Sequence, residues 1–304
     1  MNAIIQTKEL RKNFKTEEVL KSIDFNLNEG EICALIGKNG AGKSTFFKLL
    51  SGQMIPTSGS IQLFDKKSPH LDKARRRMGF IIESPVFFPD FTGVQNLEYF
   101  RLQRGVAEKK RIHEVLKIVG LTNAKHKKFK TYSMGMKQRL GIALCLLSSP
   151  DCLVLDEPIN GLDSEGIVEI RKLLLQLNQE HHITILVSSH ILTELQLIAD
   201  RFVFIKKGII TEDVSKKQLE EKSEKQLHLQ VDKVAKAAQV LESHYPSIQY
   251  DVMPEGKIII YNHIKDAAAI NKLLITNDII VRAFHTEAYK LEEYFLDIVE
   301  GEEK

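Results

Sequence analysis

Three short stretches of this chain put side chains where they could do chemistry on a phosphate. The first is Gly37-Lys38-Asn39-Gly40-Ala41-Gly42-Lys43-Ser44-Thr45, which fits the pattern G-x-x-x-x-G-K-[ST]. A glycine-rich turn lets successive backbone N–H groups point inward at phosphate oxygens. The helix that follows adds its positive N-terminal end. Lys43 then reaches the β- and γ-phosphates, and the Ser44 hydroxyl is placed to ligate Mg²⁺.

The second stretch is Leu153-Val154-Leu155-Asp156-Glu157, an apolar run ending in two carboxylates. Carboxylates after a buried strand lie at its carboxyl end, where open α/β sheets bind ligands. Asp156 there suits the organisation of Mg²⁺, through water because this ion dehydrates reluctantly. Glu157 is the candidate base for an attacking water. The bland alternative is an ordinary buried strand turning before Pro158. The third stretch, Tyr132-Ser133-Met134-Gly135-Met136-Lys137-Gln138, sets a serine at a helix start, which suits an anion. By itself, a serine before a helix is more often a cap.

The flanking pattern supplies the scaffold. Glu31 to Ile36 reads as a buried strand and Ser44 to Leu50 as a helix, the context that the phosphate loop requires. Ile4 to Leu27 reads as β-hairpin material, with Ile23, Phe25 and Leu27 alternating with polar residues. Strands are expected at Gly59–Phe64, Gly79–Glu83, Cys152–Leu155, Ile183–Val187 and Phe202–Ile205. Helical spacing dominates from Thr92 to Gly120, and Ser133 caps a helix running to Leu147. The alternation predicts a mostly parallel sheet with helices on its faces. Beyond a polar stretch at 213–225, the order strand, helix, strand, strand, helix, strand predicts a small ferredoxin-like sandwich. A last helix is expected from Ala288 to Val299.

Composition narrows the classes. The chain has 304 residues, 27% charged and 43% hydrophobic, which suits one large domain plus a smaller one. A net charge of +3 gives no signal for nucleic acid. The three cysteines, Cys33, Cys145 and Cys152, are odd in number and lack metal-ligand spacing, so they read as small buried hydrophobes in a reducing compartment. No apolar run approaches the ~20 residues of a membrane span. The expected location is therefore cytoplasmic, with any membrane role supplied by a partner.

In this order the three stretches resemble the ATP-binding-cassette (ABC) family. Asn160-Gly161-Leu162-Asp163 matches its D-loop, and His190 in Ser188-Ser189-His190 matches its switch histidine. Ser133 and Gly135 match its LSGGQ signature, and Gln138 and Arg139 continue the family pattern. The resemblance implies the fold of a P-loop NTPase: an ABC-type α/β nucleotide-binding domain over 1–213 with a mixed sheet and a helical subdomain at about 84–150. A linker at 214–226 and a C-terminal α+β accessory domain over 227–304 follow. It implies ATP and Mg²⁺ as cofactors, with the loop 37–45 and Asp163 on nucleotide, Glu157 and His190 catalytic, and Ser44 and Asp156 on metal. Ser133 and Gly135 would hold the γ-phosphate of the opposite subunit. Phe14 stands where the family stacks an aromatic on adenine, though it could equally be core.

At the Q-loop, where the family offers glutamine to the metal and water, this chain has Glu83. A carboxylate is a stronger Mg²⁺ ligand but adds negative charge beside the γ-phosphate. Residues 80–97 and 132–141 resemble the bacitracin-transport and lantibiotic-immunity branch. That branch implies export of an antimicrobial peptide, a membrane-spanning permease and a second ATP-binding subunit, a homodimer on the inner face of the membrane. Alternatives are a soluble ABC ATPase of translation or repair, or a nucleotide-binding regulator. The aromatic run Phe87, Phe88, Phe91, Tyr99 and Phe100 either packs the helical subdomain or lines a groove for a permease helix. The basic runs at 75–77, 109–111 and 125–130 read as solvated faces.

Overall fold

The runs Ile32–Ile36, Cys152–Leu155 and Thr184–Ser189 are buried along their whole length. This is the burial of strands covered on both faces, as parallel sheets require. A computed structural model describes residues 2–15, 17–83, 86–190, 192–222 and 225–288. The chain divides into two units, 1–216 and 217–304.

The first unit opens with β1 (Ala3–Phe14), β2 (Glu17–Asn28) and β3 (Ile32–Ile36). Then come α1 (Lys43–Ser51), β4 (Ser58–Leu63), α2 (Leu71–Arg75) and β5 (Met78–Ile81). The helical region holds α3 (Gly93–Gln103), α4 (Lys110–Ile118) and α5 (Met134–Leu146). After it run β6 (Cys152–Leu155), α6 (Ser164–Gln179), β7 (Thr184–Ser189), α7 (Leu192–Gln196), β8 (Arg201–Lys206) and β9 (Ile209–Ser215).

Two sheets result. The antiparallel one has the order β2-β1-β4, and the six-stranded one has the order β5-β6-β7-β3-β8-β9. All pairings in the second are parallel except β8–β9. One apolar core joins them: Phe46 and Phe47 of α1 are buried with Leu10, Phe25 and Leu63 on one side and Leu35, Val154 and Val203 on the other. Phe25 and Phe46 meet edge to face, their centroids 5.4 Å apart. The cysteines are free and buried. Burial pushes the Cys145 thiol up to about 12 and raises Cys33 and Cys152 as well.

The expected strand 79–83 ends earlier, at Ile81. Glu83 lies beyond it with a left-handed backbone, φ 66°. Ser84 and Pro85 lie outside the described residues, as does the expected final helix beyond Ala288. The aromatic run splits: Phe87 is buried against Phe100 and Phe129, while Phe88, Phe91 and Tyr99 form an exposed cluster. Of the basic runs, Arg77 pairs with Asp151, and Lys128 and Lys130 with Asp90.

The boundary falls at the first residue of α8 (Lys216–Lys222), and the second unit goes on through β10 (Lys225–Val231), α9 (Val234–His244), β11 (Tyr250–Met253), β12 (Lys257–Ile260), α10 (Ala267–Thr276) and β13 (Val281–Ala288). Its four strands are all antiparallel in the order β11-β12-β10-β13. From the βαββαβ sequence order this is the arrangement of a ferredoxin-like sheet. Leu227, Leu229, Ile258 and Ile260 bury against Ala237, Leu241, Ile270 and Leu274 of its two main helices.

The segment after Glu83 is anchored by one side chain. Asn96, fully buried on α3, accepts from the Phe88 N–H at 2.8 Å and donates to the carbonyls of Phe88 and Thr92. Asn96→Ala takes away the acceptor of the Phe88 N–H and the side-chain donor to the Phe88 and Thr92 carbonyls, which keep only the amides of Phe91 and Asn96. The expected loss is about 1–3 kcal/mol of stability, measurable by urea denaturation. An unchanged midpoint would show that the segment is held elsewhere.

Candidate functional site

The parallel strands β3, β5, β6 and β7 bring their carboxyl ends to one edge of the sheet, where each hands the chain to a loop. After β3 comes the phosphate loop. Gly37 must lack a side chain because a Cβ there would stand 2.4 Å from the Ile205 carbonyl oxygen. Gly42, at φ 112°, occupies a conformation that other residues rarely adopt. It is also the N-cap of α1 and supplies no side-chain cap, so the first amides of the helix stay available to an anion.

Lys43 is 5% exposed, and its ammonium donates to the carbonyls of Gly37 at 2.6 Å and Lys38 at 3.3 Å. Its Nζ lies 3.4 Å from Glu157 Oε1. That oxygen is buried and makes no hydrogen bond. The other, Oε2, lies 2.7 Å from His190 Nδ1. Two sequence-predicted residues, from the ends of β6 and β7, therefore meet, with the loop lysine beside them.

One hydroxyl ties these strand ends together. Ser188 Oγ donates to Asp156 Oδ1 at 2.6 Å and accepts the Glu157 N–H at 3.0 Å. Asp156 donates its own N–H to Ile81 O at 2.7 Å, joining β6 to the end of β5. Glu157 takes a left-handed backbone, φ 50°, which turns its side chain out of the strand alternation. In the sequence Ser188 stands out only as part of the histidine's flank. Its signal is modest: a small polar residue at the carboxyl end of a buried strand.

Glu83 stands apart from this cluster in its partner. Its Oε1 lies 2.6 Å from Lys48 Nζ on α1. Ser133 caps α5 by accepting from Met136 N–H at 3.3 Å, and Gly135 follows in the first turn. Asp163 caps α6 by accepting from Gly166 N–H at 2.9 Å. Gln138 is buried, while Arg139 reaches Glu169, tying α5 to α6. Phe14 ends β1, is 41% exposed and has Lys12 Nζ 5.1 Å from its ring centroid. It is an accessible aromatic rather than core.

The donor set fits Mg²⁺, a hard ion that takes oxygen ligands. A hydroxyl at Ser44 and the carboxylates of Asp156 and Glu83 are the oxygen donors such an ion uses. No group of three or more His, Cys, Asp or Glu residues preassembles as a cage among the described residues.

A glycine-rich loop between a buried parallel strand and an uncapped helix, with carboxylates at a neighbouring strand end, defines a P-loop NTPase. Comparison with known proteins narrows the class. The ABC transporter family model matches residues 20–160. The bacitracin transport ATP-binding protein BcrA of Bacillus licheniformis is 37% identical over 302 residues, 99% of each chain. The lantibiotic transport ATP-binding protein SrtF of Streptococcus pyogenes is 40% identical over 207 residues, 68% of this chain and 89% of its own. The cassette MJ0796, solved as a dimer in a post-hydrolysis state with ADP and Pi, has a TM-score of 0.63 and 27% identity, covering 70% of this chain and 98% of that one. The chain belongs to the ABC transporter ATP-binding proteins. It is an ATP-binding, ATP-hydrolysing subunit of the kind that works as a dimer with membrane permeases.

Ser188→Ala removes the hydroxyl that fixes both Asp156 and the Glu157 backbone. Turnover of ATP should fall by about tenfold or more, with binding of nucleotide retained. Wild-type turnover in a steady-state phosphate-release assay would dismiss Ser188 as a positioning group.

Proposed function

We propose that this chain powers export of an antimicrobial peptide, of the bacitracin or lantibiotic kind, through a separate membrane permease. The observation that carries the cargo class is the 37% identity to BcrA over 99% of both chains. A match that long takes in the C-terminal unit as well as the cassette. We place the chain at the inner face of the membrane, held there by its permease. No helix among the described residues is long and apolar enough to cross a membrane.

In this reading two copies sandwich ATP. Residues 37–45 of one copy, from Gly37 to Thr45, wrap the phosphates, with Lys43 on the β- and γ-phosphates and Phe14 against adenine. Ser133 and Gly135 of the other copy close on the γ-phosphate, and Asp163 lies at the shared interface. The dimeric cassette MJ0796 supports this half-site arrangement. A bound Mg²⁺, held through Ser44, Asp156 and Glu83, would neutralise charge on the β- and γ-phosphates.

Glu157 takes a proton from the attacking water as its oxygen bonds to the γ-phosphorus, and the bond to the ADP oxygen breaks. His190 orients the Glu157 carboxylate through the 2.7 Å contact and faces the γ-phosphate. Before nucleotide binds, Lys43 and His190 share the Glu157 charge. The γ-phosphate competes for Lys43 and so releases Oε1 toward the water.

The permease contact is the exposed cluster Phe88, Phe91 and Tyr99, rings 4.8–4.9 Å apart around Phe88. Val86 and Leu102 add exposed apolar surface, which suits a helix laid into an apolar groove.

Glu157→Gln should abolish turnover and accumulate an ATP-bound dimer, detectable by size-exclusion chromatography with and without ATP. Turnover at the wild-type rate would remove Glu157 from the role of base. The cargo is tested by deletion: the strain should become sensitive to at least one member of a peptide-antibiotic panel. The intact gene should restore resistance, and the Glu157→Gln form should not. Unchanged sensitivity across the panel would sink the cargo assignment.

A further inference from the structure

Glu83 brings a carboxylate to a position where the family places a neutral amide, and the structure supplies its counter-ion. Lys48 lies four residues after Ser44 on α1, which puts the two on one face of the helix, a turn apart. From there Lys48 Nζ reaches Glu83 Oε1 at 2.6 Å, a short charge-assisted bond. Glu83 holds a left-handed backbone, φ 66°, which a non-glycine residue keeps only when its surroundings select it. The pair links the loop after β5 to the helix that carries Lys43 and Ser44.

We propose that Lys48 is the positioning residue for Glu83: it holds Oε1 so that Oε2 is presented to the Mg²⁺ of bound ATP. This rests on the reading of Glu83 as a metal-side residue given above. Among the described residues, Oε1 is the Glu83 side-chain oxygen with a partner, and Lys48 is that partner. Ligating carboxylates are regularly held by a hydrogen bond on the oxygen that does not face the metal, and losing that bond weakens the metal. The pair also carries no net charge. The site therefore gains a stronger oxygen donor without adding net repulsion to the γ-phosphate, Asp156 and Glu157.

Lys48 and Glu83 are 25% and 68% exposed, and an exposed pair can be a passive surface contact. The two roles differ in sign. Removing a passive lysine near a cation site leaves metal affinity unchanged or raises it, because one positive charge is gone. Removing a positioning lysine lowers it.

The test uses the full-length protein with a non-hydrolysable ATP analogue and Mn²⁺ in place of Mg²⁺, with free Mn²⁺ read by electron paramagnetic resonance. Lys48→Met should weaken Mn²⁺ binding by about tenfold, and Lys48→Arg should recover most of that loss. Glu83→Gln should also weaken it, and the double variant should be no weaker than Glu83→Gln alone. Lys48→Gln serves as a second removal if the methionine variant is poorly folded by thermal melting. If Lys48→Met binds Mn²⁺ as tightly as wild type or tighter while Glu83→Gln is weakened, the positioning role is overturned and Glu83 keeps its metal role. An equal loss on removing Lys48 from the Glu83→Gln variant overturns it too. If Glu83→Gln itself leaves Mn²⁺ binding unchanged, the underlying reading of Glu83 fails together with it.

Discussion

The register of the parallel strands is the constraint on which this molecule depends. Leu155 pairs with Val187, and Ile36 pairs with Ser189. That alignment makes β3, β6 and β7 end together, so the phosphate loop, the Asp156-Glu157 pair and His190 all leave the sheet at one edge. Both faces of these strands are buried, so a one-residue slip would exchange the side chains of the two faces and mispack both layers. The hydrophobic effect that fixes the core therefore also fixes where the ionisable groups converge. β5, on the far side of β6, brings Glu83 to the same edge.

What converges there is an arrangement of charge awaiting more charge. Lys43 is mostly buried and shares its ammonium between two loop carbonyls and Glu157. Glu157 divides its two oxygens between Lys43 and His190, and one of them lacks a hydrogen bond. A buried carboxylate oxygen without a donor is costly. It is tolerated where an incoming group will complete it. Ser188 keeps Asp156 and the Glu157 backbone in place meanwhile. In the proposed reaction, triphosphate binding would rearrange Lys43, Glu157 and His190 within a site whose frame is already built.

The helical region and the second unit extend this core in different ways. Ser133 and Asp163 are each a helix cap in the single chain, bonded to an amide of their own helix. A hydroxyl that caps a helix start lies at the positive end of that helix, so in the proposed dimer Ser133 would meet the partner copy's phosphate with both. The C-terminal unit has its own apolar core of Leu227, Ile258, Leu241 and Ile270. Among the described residues its sheet has four strands, lying within residues 225–288. The long identity to BcrA and the shorter match of SrtF, 68% of this chain, separate a widely shared cassette from a less widely shared extension.

Much of this was legible before any coordinates. The G-x-x-x-x-G-K-S spacing, the apolar strand before Asp156-Glu157 and the order of the loops define the chemistry, because phosphate binding demands glycine, lysine and hydroxyl at set backbone intervals. Strand Cys152–Leu155 and the helix capped by Ser133 follow from local pattern alone. The βαββαβ order of the C-terminal segment is equally local, since each element carries its own period of burial. Strand ends and side-chain partners were not legible. Glu83 extends an apolar run and so looks like strand, yet a left-handed turn removes it from the sheet. Lys48 is an ordinary helix lysine until the loop after β5 brings Glu83 to α1, and Ser188 is an ordinary strand residue until β6 lies against β7. Residue types at short fixed intervals were enough to set which chemistry the chain carries. Which charges face one another was settled by the fold, because those pairs join residues 32 to 35 positions apart and depend on how the strands are ordered in the sheet.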